Sequence, residues 1–314
     1  MNTAAKLSAY GVALALVAGG AWVAGTAVGP FAGAAGLPAG EDAGQGDAHS
    51  GTVAEAAPTD EPGGLASSRG GYTLTPTTTT LTPGTDQHFS FKVLGPDGAP
   101  VTGYDVEHEK RMHLVVVRRD TAGFQHVHPE LGAGGLWTVP LALPQAGSYR
   151  VFADFKPTGA SATTLGVDIA AAGEFTPVEH QPSRVATVDG YQVRLDGELM
   201  PGRSSKITLT VTKDGREVTD LEPYLGAYGH LVALRGGDLA YLHVHPDGEP
   251  GDGRTKPGPA VTFFAEVPSN GTYRLFLDFQ HQGKVRMAEF TVPTAGIQHP
   301  TPPPAADDGH GGHG

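Results

Sequence analysis

A chain of 314 residues with a net charge of −12 and no cysteine excludes disulfides, zinc–thiolate sites, iron–sulfur clusters and thiol catalysis. It also lacks a basic stripe able to displace counterions from nucleic acid. Glycine and proline number 46 and 26, while only 17% of residues are charged, which suits short strands and many turns better than long helices. Any transition metal must be held by His, Met, Asp or Glu.

In chain order, Lys6 precedes an uncharged run of 22 residues, 7–28, long enough to cross a hydrocarbon core of about 30 Å as a helix. With Lys6 the only charge before it, the body is expected outside the cell. It is either anchored by a single membrane-spanning helix or secreted after cleavage near "AGA" at 32–34. Residues 29–69 read as a Gly/Ala/Pro/acidic spacer without apolar periodicity. The end, 294–314, is low in complexity and carries His310 and His313 in a Gly/His/Asp tail of the kind that binds metals loosely.

Between these tails the sequence repeats. "LTPGTDQHFSFKV" at 81–93 aligns with "LMPGRSSKITLTV" at 199–211, and "FQHVHP" at 124–129 with "YLHVHP" at 241–246. "LWTVPLALPQAGSYRVFADF" at 136–155 aligns with "VTFFAEVPSNGTYRLFLDF" at 261–279. Several segments matching in order imply two copies, at 70–172 and 184–293, joined by a linker at 173–183. Each copy has a period of two. Phe89, Phe91 and Val93 alternate with polar neighbours, as do Ile207, Leu209 and Val211; Tyr149, Val151, Ala153 and Phe155 correspond to Tyr273, Leu275, Leu277 and Phe279. The expected fold is all-β, two tandem immunoglobulin-like sandwiches, with an eight-stranded jelly roll as the alternative.

The histidines are placed by hairpin counting. With Gly236–Gly237 as a two-residue turn, Arg235 pairs with Asp238 and His230 lies opposite His243. The same count around Arg119–Asp120 puts His113 opposite His126. His245 and His128, two residues on, share those faces. Each copy would then gather three imidazoles at the end of its own sandwich. His281, in the loop after "YRLFLDF", is the expected fourth group in copy two. His108, Glu107, Glu109 or a water serves in copy one. Alternation sends Met112 to the opposite face. Imidazole-rich sites without thiolate suit copper first and zinc second. Affinity should fall below about pH 6 as the histidines protonate. Against this stands a reading in which the histidines plug the sandwich ends and the chain is a surface interaction module.

"EKRMHLVVVRRDTAGFQHVHP" and "YRVFADF" resemble a group of actinobacterial membrane-anchored or secreted proteins, over about 70–293. The layout, a sandwich with a His-bearing end, is similar to the YtkA-like and CopC-like exported domains. The resemblance implies a role outside the cytoplasm in handling a metal, with copper the implied ion. CopC-like proteins keep a ligand at the mature amino terminus, which a retained anchor would preclude here. A cupin-like metalloenzyme is the catalytic alternative. Glu130 follows His128 too closely for the cupin spacing, copy two has Asp247 in its place, and no nucleophile elbow or phosphate loop is present. A non-enzymatic binding protein is therefore expected.

Overall fold

Alternating apolar residues bounded by Gly, Pro and Asn turns leave the chain one economical solution, which is to stack sheets. The structure, a computed structural model, describes residues 61–296, which belong to one compact unit. The membrane or signal segment at 1–28, most of the spacer, and His310 and His313 lie outside the described residues. Among the described residues no helix is long and apolar enough to cross a membrane.

The first copy contains β1 (Ser68–Arg69), β2 (Tyr72–Pro76), β3 (Thr80–Leu81), β4 (Gln87–Leu94), β5 (His113–Arg118), β6 (Gln125–Val127), β7 (Glu130–Leu131), β8 (Trp137–Leu141), β9 (Gly147–Phe155) and β10 (Thr163–Ala171). The second contains β11 (Val185–Val188), β12 (Tyr191–Asp196), β13 (Arg203–Lys213), β14 (Arg216–Glu217), β15 (His230–Arg235), β16 (Tyr241–Leu242), β17 (Val244–Pro246), β18 (Ala260–Val267), β19 (Thr272–His281) and β20 (Lys284–Pro293). The sheet orders are β1-β2-β4-β8-β7 over β3-β10-β9-β5-β6, then β11-β12-β13-β18-β17 over β16-β15-β19-β20. Strand β3 pairs in parallel with β10.

Both copies are immunoglobulin-like sandwiches, and each carries a tyrosine corner. Tyr149 Oη donates to the Gln145 carbonyl at 2.8 Å, and Tyr273 Oη donates to the Ser269 carbonyl at 2.8 Å. In each case a tyrosine at the start of a central strand ties down the turn before it, as in immunoglobulin domains. Between the sheets lies one apolar core per copy, around Phe91, Trp137 and Tyr149 in the first and Phe263, Leu277 and Phe290 in the second.

A third core lies between the copies. Val115, Val117 and Phe152 pack against Val232, Leu234, Leu239 and Phe276, with Phe124, Tyr241 and Met287 at the margin. Sheet β3-β10-β9-β5-β6 thus faces sheet β16-β15-β19-β20. This explains why β5 is apolar on both faces, as its fully buried pattern requires. The stretch before β1 also spans this seam. Tyr241 N–H donates to Gly63 O and Gly64 N–H to Thr164 O, while the Arg150 guanidinium donates to Gly64 O. Gly64 has φ +74, and a Cβ there would come within 2.4 Å of the Phe152 ring, so only glycine fits.

The hairpin register differs from the counted one. Val115 pairs with His126 and Leu114 with Val127; Ala233 pairs with Leu242 and Leu234 with Tyr241. Asp238 does not pair across the hairpin. Its carboxylate is gripped by Arg235 inside a four-residue turn, closed by Leu239 N–H donating to Arg235 O with Leu239 at φ +63. In the first copy Arg118 grips Asp120, two residues on, in a shorter turn closed by Thr121 N–H donating to Arg118 O. The displacement is two residues, so the side chains that stay in the hairpin keep their expected faces while their direct partners change.

Candidate metal centre

Alternation along β5 sends Met112, Leu114 and Val116 into the sandwich and His113, Val115 and Val117 outward to the seam. Met112 is thus on the face away from the histidines, as expected. His126 and His128 project to the seam from β6 and the residue after it. The three rings stand 5.4 Å (His113 to His126), 5.0 Å (His113 to His128) and 4.8 Å (His126 to His128) apart between centroids. One ligand atom from each lies within 4.8 Å of the others. Rings radiating from a common tetrahedral ion with bonds of about 2.0–2.1 Å have centroids spaced roughly 5 Å apart.

The surrounding hydrogen bonds fix two tautomers. His113 Nε2–H donates to the Glu107 carbonyl at 3.0 Å, which leaves the lone pair on Nδ1. His126 Nδ1–H donates to Asp278 Oδ2 at 2.9 Å, which leaves the lone pair on Nε2. Those two lone pairs face each other at 3.2 Å. Such an arrangement requires a cation between them, either a metal ion or a shared proton. His128 Nε2 is buried and has no hydrogen-bond partner among the described residues, a condition that costs free energy unless something fills it.

Burial pushes His113 and His128 down to about 3, and neighbouring imidazoles add to the effect. His230 is pushed down to about 4 by burial, then by His108 and His126. All three are therefore neutral at physiological pH with a lone pair available. The fall in affinity expected below about pH 6 moves lower for these buried rings.

The second copy contributes at the same place. His230 Nε2–H donates to the carbonyls of Tyr224 and Leu225 at 2.9 and 3.0 Å, which repeats the contact of His113 with Glu107. In both copies the acceptor comes from a tight turn with left-handed residues, His108 and Glu109 in one, Leu225 and Gly226 in the other. His230 lies 6.5 Å from His113 and 6.4 Å from His126 between ring centroids, and exposed His108 lies 5.4 Å from His230. The seam opens beside these rings into a cleft of about 460 Å³, lined by His108, His113, His126, His230, His243 and His245 among others.

The family described as Domain of unknown function (DUF8832) matches the chain twice, at residues 66–172 and 186–296. The chain belongs to this family. Among curated proteins none matches. Solved structures with a similar β-domain layout include the FdeC adhesin of Escherichia coli, at 12% identity, 73% of this chain, 65% of that one and TM-score 0.23. Others are the integrin-binding protein invasin, at 12%, 70%, 39% and 0.20, and Escherichia coli alpha-2-macroglobulin, at 14%, 71%, 20% and 0.24. The chain spans less than two thirds of each of these, and the likeness is too distant to carry an argument about function.

The two DUF8832 domains do not form separate, equivalent histidine sites. In the first, the chain stays with β5 through Val127 and only then crosses to pair β7 with β8. In the second it leaves β15 after Leu242, and Val244 pairs with Ala265 in the other sheet, with Glu266 N–H donating to His243 O. The earlier crossing takes His243 and His245 away from His230. They form an exposed pair with ring centroids 4.0 Å apart. Burial and His245 lower His243, partly offset by Glu266.

His281 does not close a site. It sits on the inward face of β19, where its Nδ1 accepts from Tyr191 Oη at 2.7 Å and its Nε2–H donates to Asp220 at 3.0 Å. Sequence reasoning missed Asp278, which stands in "YRLFLDF" as the one acidic residue of a mostly apolar central run. A carboxylate on a buried strand face needs a partner, and that signal was available.

Proposed function

We propose that the chain is a metal-binding protein held at or beyond the cell surface. His113, His126 and His128 take one divalent transition-metal ion, copper before zinc, for sequestration or transfer. The supporting observation is the pair of lone pairs at 3.2 Å with each opposite ring nitrogen already committed to a protein acceptor. Histidine ligands in metal sites carry this kind of outer hydrogen bond. An all-imidazole, thiolate-free set favours Cu(II) and Zn(II) over hard cations. Three protein ligands leave a position open to water or a partner's ligand, as exchange would need.

The test is metal analysis and titration of the full chain beside His126→Ala and His128→Ala. One equivalent of Cu(II) or Zn(II) in the parent, lost in both variants, is the expected result. No uptake by the parent overturns the reading. In that case the second reading holds, a surface interaction module with structural histidines. It has one argument in its favour: the 3.2 Å approach of the His113 and His126 ring nitrogens would be satisfied by a proton as well as by a metal ion.

A further inference from the structure

We infer that the second domain completes the first domain's ion site, with Asp278 as its positioning carboxylate, so that ion occupancy and docking of the two domains are linked. This rests on the metal reading above.

Asp278 is 152 residues from His126, and the two meet only because the sheets face each other across the seam. Both side chains are nearly covered, at 11% and 5% exposure. Asp278 sits in register with His230 on the neighbouring strand, so one edge of the second domain presents both a carboxylate and an imidazole to the first domain's histidines. A carboxylate accepting from one imidazole nitrogen holds the ring in a single tautomer and makes the other nitrogen a better donor to a metal. Without Asp278, His126 is free to place its proton on Nε2, where it blocks the ion.

The duplicated fold supplies a control. Asp154 is the counterpart of Asp278 and pairs with His113 as Asp278 pairs with His230. It accepts from Thr164 Oγ1 at 2.8 Å instead, and His243, the counterpart of His126, has by then left for the other sheet. Of two equivalent carboxylates, the one that reaches across to the partner domain holds a histidine of the triad. If docking is what places Asp278 on His126, the ion must in turn favour the docked state, since coupling between two equilibria is reciprocal.

The test uses the full chain with Zn(II), which is diamagnetic. Asp278→Asn should raise the Zn(II) dissociation constant by about 10–100-fold. In the parent, long-range ¹H–¹⁵N spectra of His126 should show the proton on Nδ1 and the metal on Nε2, a readout that needs no variant to fold. Asp154→Asn should leave Zn(II) affinity within about twofold. Equal affinity of Asp278→Asn and parent, or a His126 protonated on Nε2, overturns the inference while the metal reading stands. A parent that takes up no Zn(II) or Cu(II) overturns both.

Discussion

His128 and His281 are both histidines at a sandwich margin, yet their surroundings assign them opposite roles. His281 has both ring nitrogens bonded within the protein. Changing it to Ala strands Tyr191 Oη and should cost about 1–3 kcal/mol while leaving ion titration unchanged. His128 leaves its Nε2 unpartnered among the described residues, so His128→Ala should abolish ion uptake and destabilise less; urea melts beside titrations separate the two. The depressed rings also predict how stability responds to acid. In the unfolded chain these imidazoles take up protons near their ordinary value of about 6.5. In the folded chain His113 and His128 wait until about 3 and His230 until about 4. Between those limits the unfolded state binds more protons, so stability is full above about pH 6.5 and falls as the pH drops toward 4. The urea midpoint should therefore be lower at pH 4.5 than at pH 7.5, with a shallower dependence in His128→Ala. A flat profile would mean the rings are solvated.

At the level of strands, the Phe124 and Phe276 rings stack across the seam with centroids 4.0 Å apart and planes 6° from parallel. Phe276 is buried and distant in sequence from any ligand. Phe276→Ala should cost about 3–5 kcal/mol and weaken ion binding without touching a ligand, read by calorimetry and by titration of the same sample. The architecture was legible because period-two alternation and ordered repetition are local properties of the sequence. Which faces the first copy's histidines take was legible too, since a two-residue register displacement leaves facing intact. The partners were not. The four-residue turn depends on Arg235 clasping Asp238 and on a left-handed Leu239, which no strand pattern announces. The crossing of β16 to β17 after Leu242 depends on pairing energies with β18, so two identical HVHP motifs end in different sheets. The seam was hidden for a related reason. Val115 and Val117 share the face of His113 in the strand pattern, and nothing in that pattern says that this face is the outer one, covered only by a second domain.

For the whole molecule, a site built from three side chains of one domain and a carboxylate of the next predicts that ion binding stabilises more than its own neighbourhood. Anything that binds only the folded, docked state stabilises it by RT ln(1 + [L]/Kd), about 2.7 kcal/mol at 100-fold excess over Kd. In a body of this size that is a rise in Tm of roughly 5–10 °C. Cu(II) or Zn(II) should produce the rise, and Ca(II) or Mg(II) should not, because hard cations seek oxygen ligands and the triad offers only nitrogen. His243→Ala and His245→Ala should keep the rise, since their pair stands outside the triad. His113→Ala, His126→Ala and His128→Ala should each remove it. The two sandwiches should also melt together when the ion is bound, because unfolding either domain dismantles the site that the other shares. Scanning calorimetry with and without Zn(II) reads both effects. An unchanged Tm, or a rise confined to one of two separate transitions, would leave the domains thermodynamically independent and the ion clamp without support.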